Sequence, residues 1–338
     1  MSLTINLSLD LDNKWTYLKT AGRSAWKEFP SYLPFVCQQI GDLLEEFRLR
    51  VTIFVVGQDL LSSSDTKAIS ELIGRGHDIG NHSFHHEPWL HLYDCAKIAY
   101  ELDATEDLLN QIPGQHSLGF RGPGYSDSPL VHEMLAERGY RYCASQFSSF
   151  TGPLARQYYF LRTGLSGTQR QGRERLFGGM TAGMGPNRHY RLAVGKPPLW
   201  MVPVTVIPGV RTPFHFSYLQ YFAEKSPLLA RVYLASGLRL CEVGKVQPSL
   251  LLHPLDFLGC DDEPDLGFFP GMRSSGQVKR QRLRGFLQQL TQAGSIQSLG
   301  EMVAGLDERN YWTPSVRPGC QRPLNTPEPL DLSDSISV

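Results

Sequence analysis

Stretches of strand character alternate with helix-like stretches along most of this chain, and polar residues able to do chemistry recur where the strands end. Residues 3–9 alternate and run into Asp10, and residues 51–56 are β-branched and almost wholly apolar, as in a strand covered on both faces. Further strands are expected at 77–80, 119–121, 199–206, 249–253 and 294–296. Helical periodicity spans 31–48, 65–74, 93–111, 129–138, part of 214–236, 278–292 and 299–304. Such alternation indicates parallel βα units. In a β/α barrel the strand ends converge on one face, where active sites are built. The residues at those ends are Asp10 with Asp12, His82 with His86, Arg121 and His253.

Their spacing has chemical meaning. Two residues is the strand period, so Asp10 and Asp12 leave a strand on one face. Four residues is about one helical turn, so His82 and His86 can point the same way from a helix-like turn. Two imidazoles and one carboxylate make three protein ligands with a position left for water, the layout of a hydrolytic metal centre. The second carboxylate is then available as a base. Each pair also has a bland reading, a polar loop or helix cap for Asp-x-Asp and satisfied core for the histidines; their joint occurrence at strand ends favours the metal centre.

Composition narrows the rest. At 338 residues the chain can bury one large core or two modest ones. The balance of 33 basic against 33 acidic residues, with no basic run, argues against nucleic acid as a partner. The N-terminus shows no basic segment followed by an apolar one, and no apolar run approaches the ~20 residues of a membrane helix. The six cysteines are scattered without a Cys-x-x-Cys pair, so reduced thiols in a cytoplasmic protein are expected. One domain is expected over 1–311. A Gly-, Arg- and Gln-rich insertion or cover is expected at 145–191, and a Pro- and Ser-rich tail at 312–338.

The motifs Ser8-Leu9-Asp10-Leu11-Asp12, Asn81-His82-Ser83-Phe84-His85-His86, Phe120-Arg121-Gly122-Pro123 and Leu250-Leu251-Leu252-His253 resemble, in order, those of the polysaccharide deacetylase superfamily (NodB-like, carbohydrate esterase family 4). The resemblance implies a distorted (β/α)7 barrel and a divalent metal, usually zinc, on Asp12, His82 and His86. It also implies Asp10 as general base, Arg121 orienting it and His253 as general acid. Departures are Leu11 between the aspartates, Gly124 before Tyr125, and no clear aromatic motif, for which Trp200 is the expected stand-in. Gly124 or Tyr125 is expected to offer a backbone N–H to the oxyanion, and Asp256 to orient His253, bind a sugar hydroxyl or simply cap the turn.

The implied reaction is hydrolysis of the N-acetyl amide of an amino sugar in a glycan or its precursor, with a metal-bound water as nucleophile. Alternatives are deformylation of a lipid-linked formamido sugar at the inner membrane face, with peripheral membrane contact through 203–216 and the helix after it, an amidase of small non-sugar amides, and a silent barrel. Around the site, His85 is expected in a supporting role. Trp15, Tyr17 and Trp89 are expected either to pack or to line a sugar cleft, and His132 to lie at the surface.

Overall fold

The computed structural model describes residues 3–112, 117–149, 185–195 and 198–306. The expected tail at 312–338 lies outside them, as does most of the expected 145–191 insertion. Nine strands among the described residues form one sheet: β1 (Leu3–Asp10), β2 (Thr52–Val55), β3 (Asp78–Asn81), β4 (Gly119–Phe120), β5 (Tyr142–Cys143), β6 (Tyr190–Leu192), β7 (Leu199–Met201), β8 (Ser249–Leu252) and β9 (Gly294–Gln297). Their order is β6-β7-β5-β4-β3-β2-β1-β8, with β9 against the first half of β1, and every pairing is parallel except β6 with β7. The sheet curls into a distorted barrel. Its open side is spanned by the segment after β7, where the Thr205 N–H donates to the Ser249 carbonyl (3.0 Å).

Helices α1 (Lys14–Thr20), α2 (Leu33–Glu46), α3 (Ser63–Ile73), α4 (Cys95–Leu109), α5 (Pro129–Glu137), α6 (Phe216–Lys225), α7 (Pro227–Val243), α8 (Gly276–Ala293) and α9 (Leu299–Ala304) fill most of the connections. Side-chain oxygens start them as elementary capping requires: Ser62 on Asp65, Asp94 on Lys97, Ser128 on Val131, and a Ser298–Glu301 capping box. The part of 214–236 expected to be helical forms two helices. Ser226 precedes Pro227, and a residue before proline is pushed out of helical backbone, so α6 ends there and Ser226 caps α7. None of the described helices is long and apolar enough to cross a membrane.

The period of two in β1 sorts the core. Ile5, Leu7 and Leu9 join the apolar layer beneath α2, α3, α6, α7 and α8, while Asn6, Ser8 and Asp10 face the interior. A lower interior layer alternates large and small: a Cβ on Gly80 would meet the Phe54 ring at 2.4 Å, and one on Gly119 the Tyr142 ring at 2.0 Å. Trp200 completes this layer, and α9 closes it from below through Leu299, Met302 and Val303. Strand ends therefore rest on a packed floor, and their polar residues gather above it.

Candidate metal and catalytic centre

Strand β3 ends at Asn81 and delivers His82 directly. From there to His86 the chain is an irregular loop, not the helix-like turn the spacing suggests: Ser83 and His86 sit in left-handed backbone at φ 62° and 54°. The loop is held from within. Asn81 Oδ1 accepts from the Ser83 N–H (2.8 Å), and the buried Glu101 carboxylate accepts from the N–H groups of Phe84 and His85 (2.8 Å each). The imidazoles still converge, at 5.1 Å between ring centroids.

Both imidazoles turn Nε2 toward Asp12 Oδ1, at 3.3 Å from His82 and 3.0 Å from His86. His82 Nδ1 lies against the Arg121 carbonyl (2.5 Å), an acceptor only, so Nδ1 carries the proton and the Nε2 lone pair faces the carboxylate. Two electron-rich atoms so placed call for a cation or proton between them. Ligand atoms about 2.0 Å from a tetrahedral zinc stand about 3.3 Å apart, close to the observed 3.3 and 3.0 Å. The three residues fit a divalent metal through Asp12 Oδ1, His82 Nε2 and His86 Nε2. Burial alone would push the Asp12 carboxyl up, but the charge of His86 and hydrogen bonds from both imidazoles outweigh it and hold it well below the carboxylate range. For His82 burial favours the neutral ring, yet Asp10 and Asp12 raise it.

Asp10 stands beside this trio. Its Oδ1 accepts from Arg121 Nη1 at 2.6 Å, and its Oδ2 lies 4.0 Å from both His82 Nε2 and His253 Nε2. Arg121 is wholly buried: Nη1 also donates to Ser8 Oγ (3.0 Å), Nε donates to the Ala144 carbonyl (2.9 Å), and the guanidinium lies 4.3 Å over the Phe54 ring. It can only point where it does. His253 follows β8, with Nδ1 3.3 Å from Ser217 Oγ. Asp10, Asp12, His82, His86, Arg121 and His253 are thus one constellation.

Further expected residues are placed as follows. Asp256 is buried and accepts from the His253 backbone N–H (2.8 Å), so it holds the loop that carries His253 instead of facing a sugar. Trp200 packs into the barrel floor with Phe54 and Tyr142 and lines no cleft. The Tyr125 N–H donates to the Gly122 carbonyl (3.0 Å), which commits it away from an oxyanion; its ring stacks on Phe147, while Gly124 beside it occupies left-handed backbone at φ 57°. His132 is not a surface residue; it is largely buried against Asp127.

The neighbours sort as follows. Trp15 is core, its Nε1–H donating to Asp59 Oδ1 (2.7 Å), and half-buried Tyr17 packs edge-on to Phe269. Trp89 is half-buried and donates to Tyr93 Oη (3.2 Å); His85 pairs with Glu101 (2.8 Å) and stacks on Tyr100. Three residues escaped sequence reasoning. Ser8 shares the Asp10 face of β1, so the strand period could have found it. Ser217 and His215 precede or open α6 without a motif. His215 is buried next to His253, and burial, then that neighbour's charge, push its imidazole down to about 3.

Residues 21–143 match the family model described as polysaccharide deacetylase, a segment holding His82, His86 and Arg121. The structure is similar to that of a protein assigned as a polysaccharide deacetylase from Mycobacterium smegmatis (18% identity, 93% of each chain, TM-score 0.59). It is also similar to Puue allantoinase (12% identity, 89% of each chain, TM-score 0.51). At such identities the likeness concerns the fold. No curated protein matches the chain significantly. The family match supports a hydrolase acting on carbon–nitrogen amide bonds. Part of the chain, residues 21–143, thus resembles the polysaccharide deacetylase family, and its fold is similar to that of the Mycobacterium smegmatis protein.

Proposed function

We propose that the chain is a metal-dependent N-deacetylase of an amino sugar in a glycan or glycan precursor. The observation that carries this reading is the placement of Asp10 Oδ2 within 4.0 Å of both a ligand imidazole, His82, and the free imidazole His253. A base and an acid thereby flank one metal position.

A divalent ion on Asp12, His82 and His86, zinc by the family's habit and the donor set, supplies Lewis-acid polarisation and lowers the pKa of water. Asp10, aimed by Arg121 and Ser8, accepts the proton of the attacking water through Oδ2. His253 gives a proton from Nε2 to the departing nitrogen, while Ser217 at Nδ1 fixes the ring plane.

A second reading, deformylation of a lipid-linked sugar, draws on the exposed Tyr221, Leu228, Leu229, Val232 and Val243 along α6 and α7, which suit a bilayer surface. Acetate and formate released from an extract of glycans and glycolipids, with and without chelator, separate the two. Chelator-sensitive acetate supports the leading reading and formate the second; release of neither acid rejects both. Asp10→Asn is expected to abolish turnover with metal content intact, and His82→Ala to lose both. Equal metal loss in the two variants would break the assignment of roles.

A further inference from the structure

A second cluster of potential ligands lies behind the loop that carries Gly122 to Tyr125. Asp127 follows that loop, Ser128 caps α5, His132 sits in the first turns of α5, and Cys143 closes β5. One ligand atom from each lies within 4.8 Å of the others, and none is shared with the Asp12, His82 and His86 trio. We propose that Asp127, His132 and Cys143 form a separate, sulfur-containing site for a divalent cation of the zinc class.

The donor set selects the ion. A thiolate, an imidazole and a carboxylate suit zinc or cobalt, whereas magnesium and calcium prefer oxygen alone. The geometry is close to what such an ion needs. His132 Nε2 stands 2.5 Å from Asp127 Oδ1, and Cys143 Sγ 3.9 Å from the same oxygen. Tetrahedral zinc asks for about 3.3 Å between nitrogen and oxygen and about 3.6 Å between sulfur and oxygen, so neither of these two pairs must move by as much as 1 Å. The ion has a way in, because the Asp127 side chain is 24% exposed.

The bland alternative is an ion pair beside a core cysteine. Cys143 does pack in the apolar cluster with Val131 and Leu135. Its sulfur, however, turns to polar company: Ser145 Oγ at 3.1 Å and Asp127 at 3.9 Å. Ser145 Oγ in turn accepts from the Gly122 N–H (2.9 Å). A cation here would therefore tie β5 and α5 to the loop behind Arg121.

The test is cobalt titration of the full chain after chelation, read by stoichiometry and by the near-ultraviolet charge-transfer band of a cobalt thiolate. Wild type is expected to take two equivalents with the band, and His82→Ala one equivalent with the band kept. Cys143→Ser should lose one equivalent and the band. Since Cys143 is buried, His132→Gln serves as the second variant; it leaves all six thiols in place and should still lose the band. A wild type without the band, or a band that survives His132→Gln, overturns the site. Loss of the catalytic trio's equivalent alone would strike the proposed function and leave this site standing.

Discussion

Removing Arg121 should cost more than its hydrogen bonds, because it leaves Asp10 buried without the guanidinium that faces it. The Arg121 side chain is fully buried and that of Asp10 6% exposed, so solvent does not screen the 2.6 Å contact between them. Breaking a buried pair by deleting one member costs about 3–5 kcal/mol, mostly the stranded charge. Arg121→Met is therefore expected to destabilise by about 4 kcal/mol. Asp10→Asn should cost somewhat less, about 2–3 kcal/mol, because Arg121 keeps Ser8 Oγ, the Ala144 carbonyl and the Phe54 face. In the double variant no charge is stranded, and the two losses should fall short of additivity by about 2 kcal/mol. Urea unfolding of the chelator-treated protein, followed by tryptophan fluorescence, measures all four corners of this cycle without a contribution from bound metal. Additivity within about 0.5 kcal/mol would refute the pairing as the device that holds the base.

Other perturbations test the frame around the site. His77 is buried with neither ring nitrogen hydrogen-bonded among the described residues, and burial, then Arg75 and Arg50, push its imidazole from 6.5 down to about 4. The unfolded chain takes up that proton first, so the stability is present above pH 6.5 and lost as pH falls toward 4. Between pH 7 and pH 5 this amounts to about 2 kcal/mol, and His77→Gln should flatten the acid limb by that amount; an unchanged limb contradicts the burial argument. Gly119→Ala drives a Cβ to 2.0 Å from the Tyr142 ring and should cost about 3 kcal/mol, largely recovered by adding Tyr142→Leu. Chemical unfolding midpoints decide it, and a neutral Gly119→Ala would mean that the barrel floor has slack. Ser217→Ala should lower kcat about tenfold with metal content and KM unchanged, since Ser217 links the His253 imidazole to the buried Asp256 carboxylate.

What the sequence disclosed, and what it hid, follows from how each interaction is encoded. The two-residue period of β1 and the alternation of strand and helix patterns are local signals, and the barrel and its strand-end residues follow from them. The convergence of His82 and His86 was legible from spacing, but not its means: Asn81 and Glu101 capping a left-handed loop is a contact between segments that spacing does not record. Trp200 and Asp256 read as cleft residues because an aromatic near a strand end and a carboxylate near a histidine have the same sequence whether they face solvent or core. His132 is the clearest case. In helix α5 it alternates as a surface residue would, yet the Asp127 turn and the end of β5 close over it. Such closures depend on partners five and eleven residues away whose approach only the barrel's curvature brings about. The same curvature places Ser8 and Asp10 against an arginine more than a hundred residues distant in sequence. The candidate acid–base gap is thus a property of barrel closure: each residue was readable alone, but the 4.0 Å that relates Asp10 to both His82 and His253 exists only because β1 lies between β2 and β8.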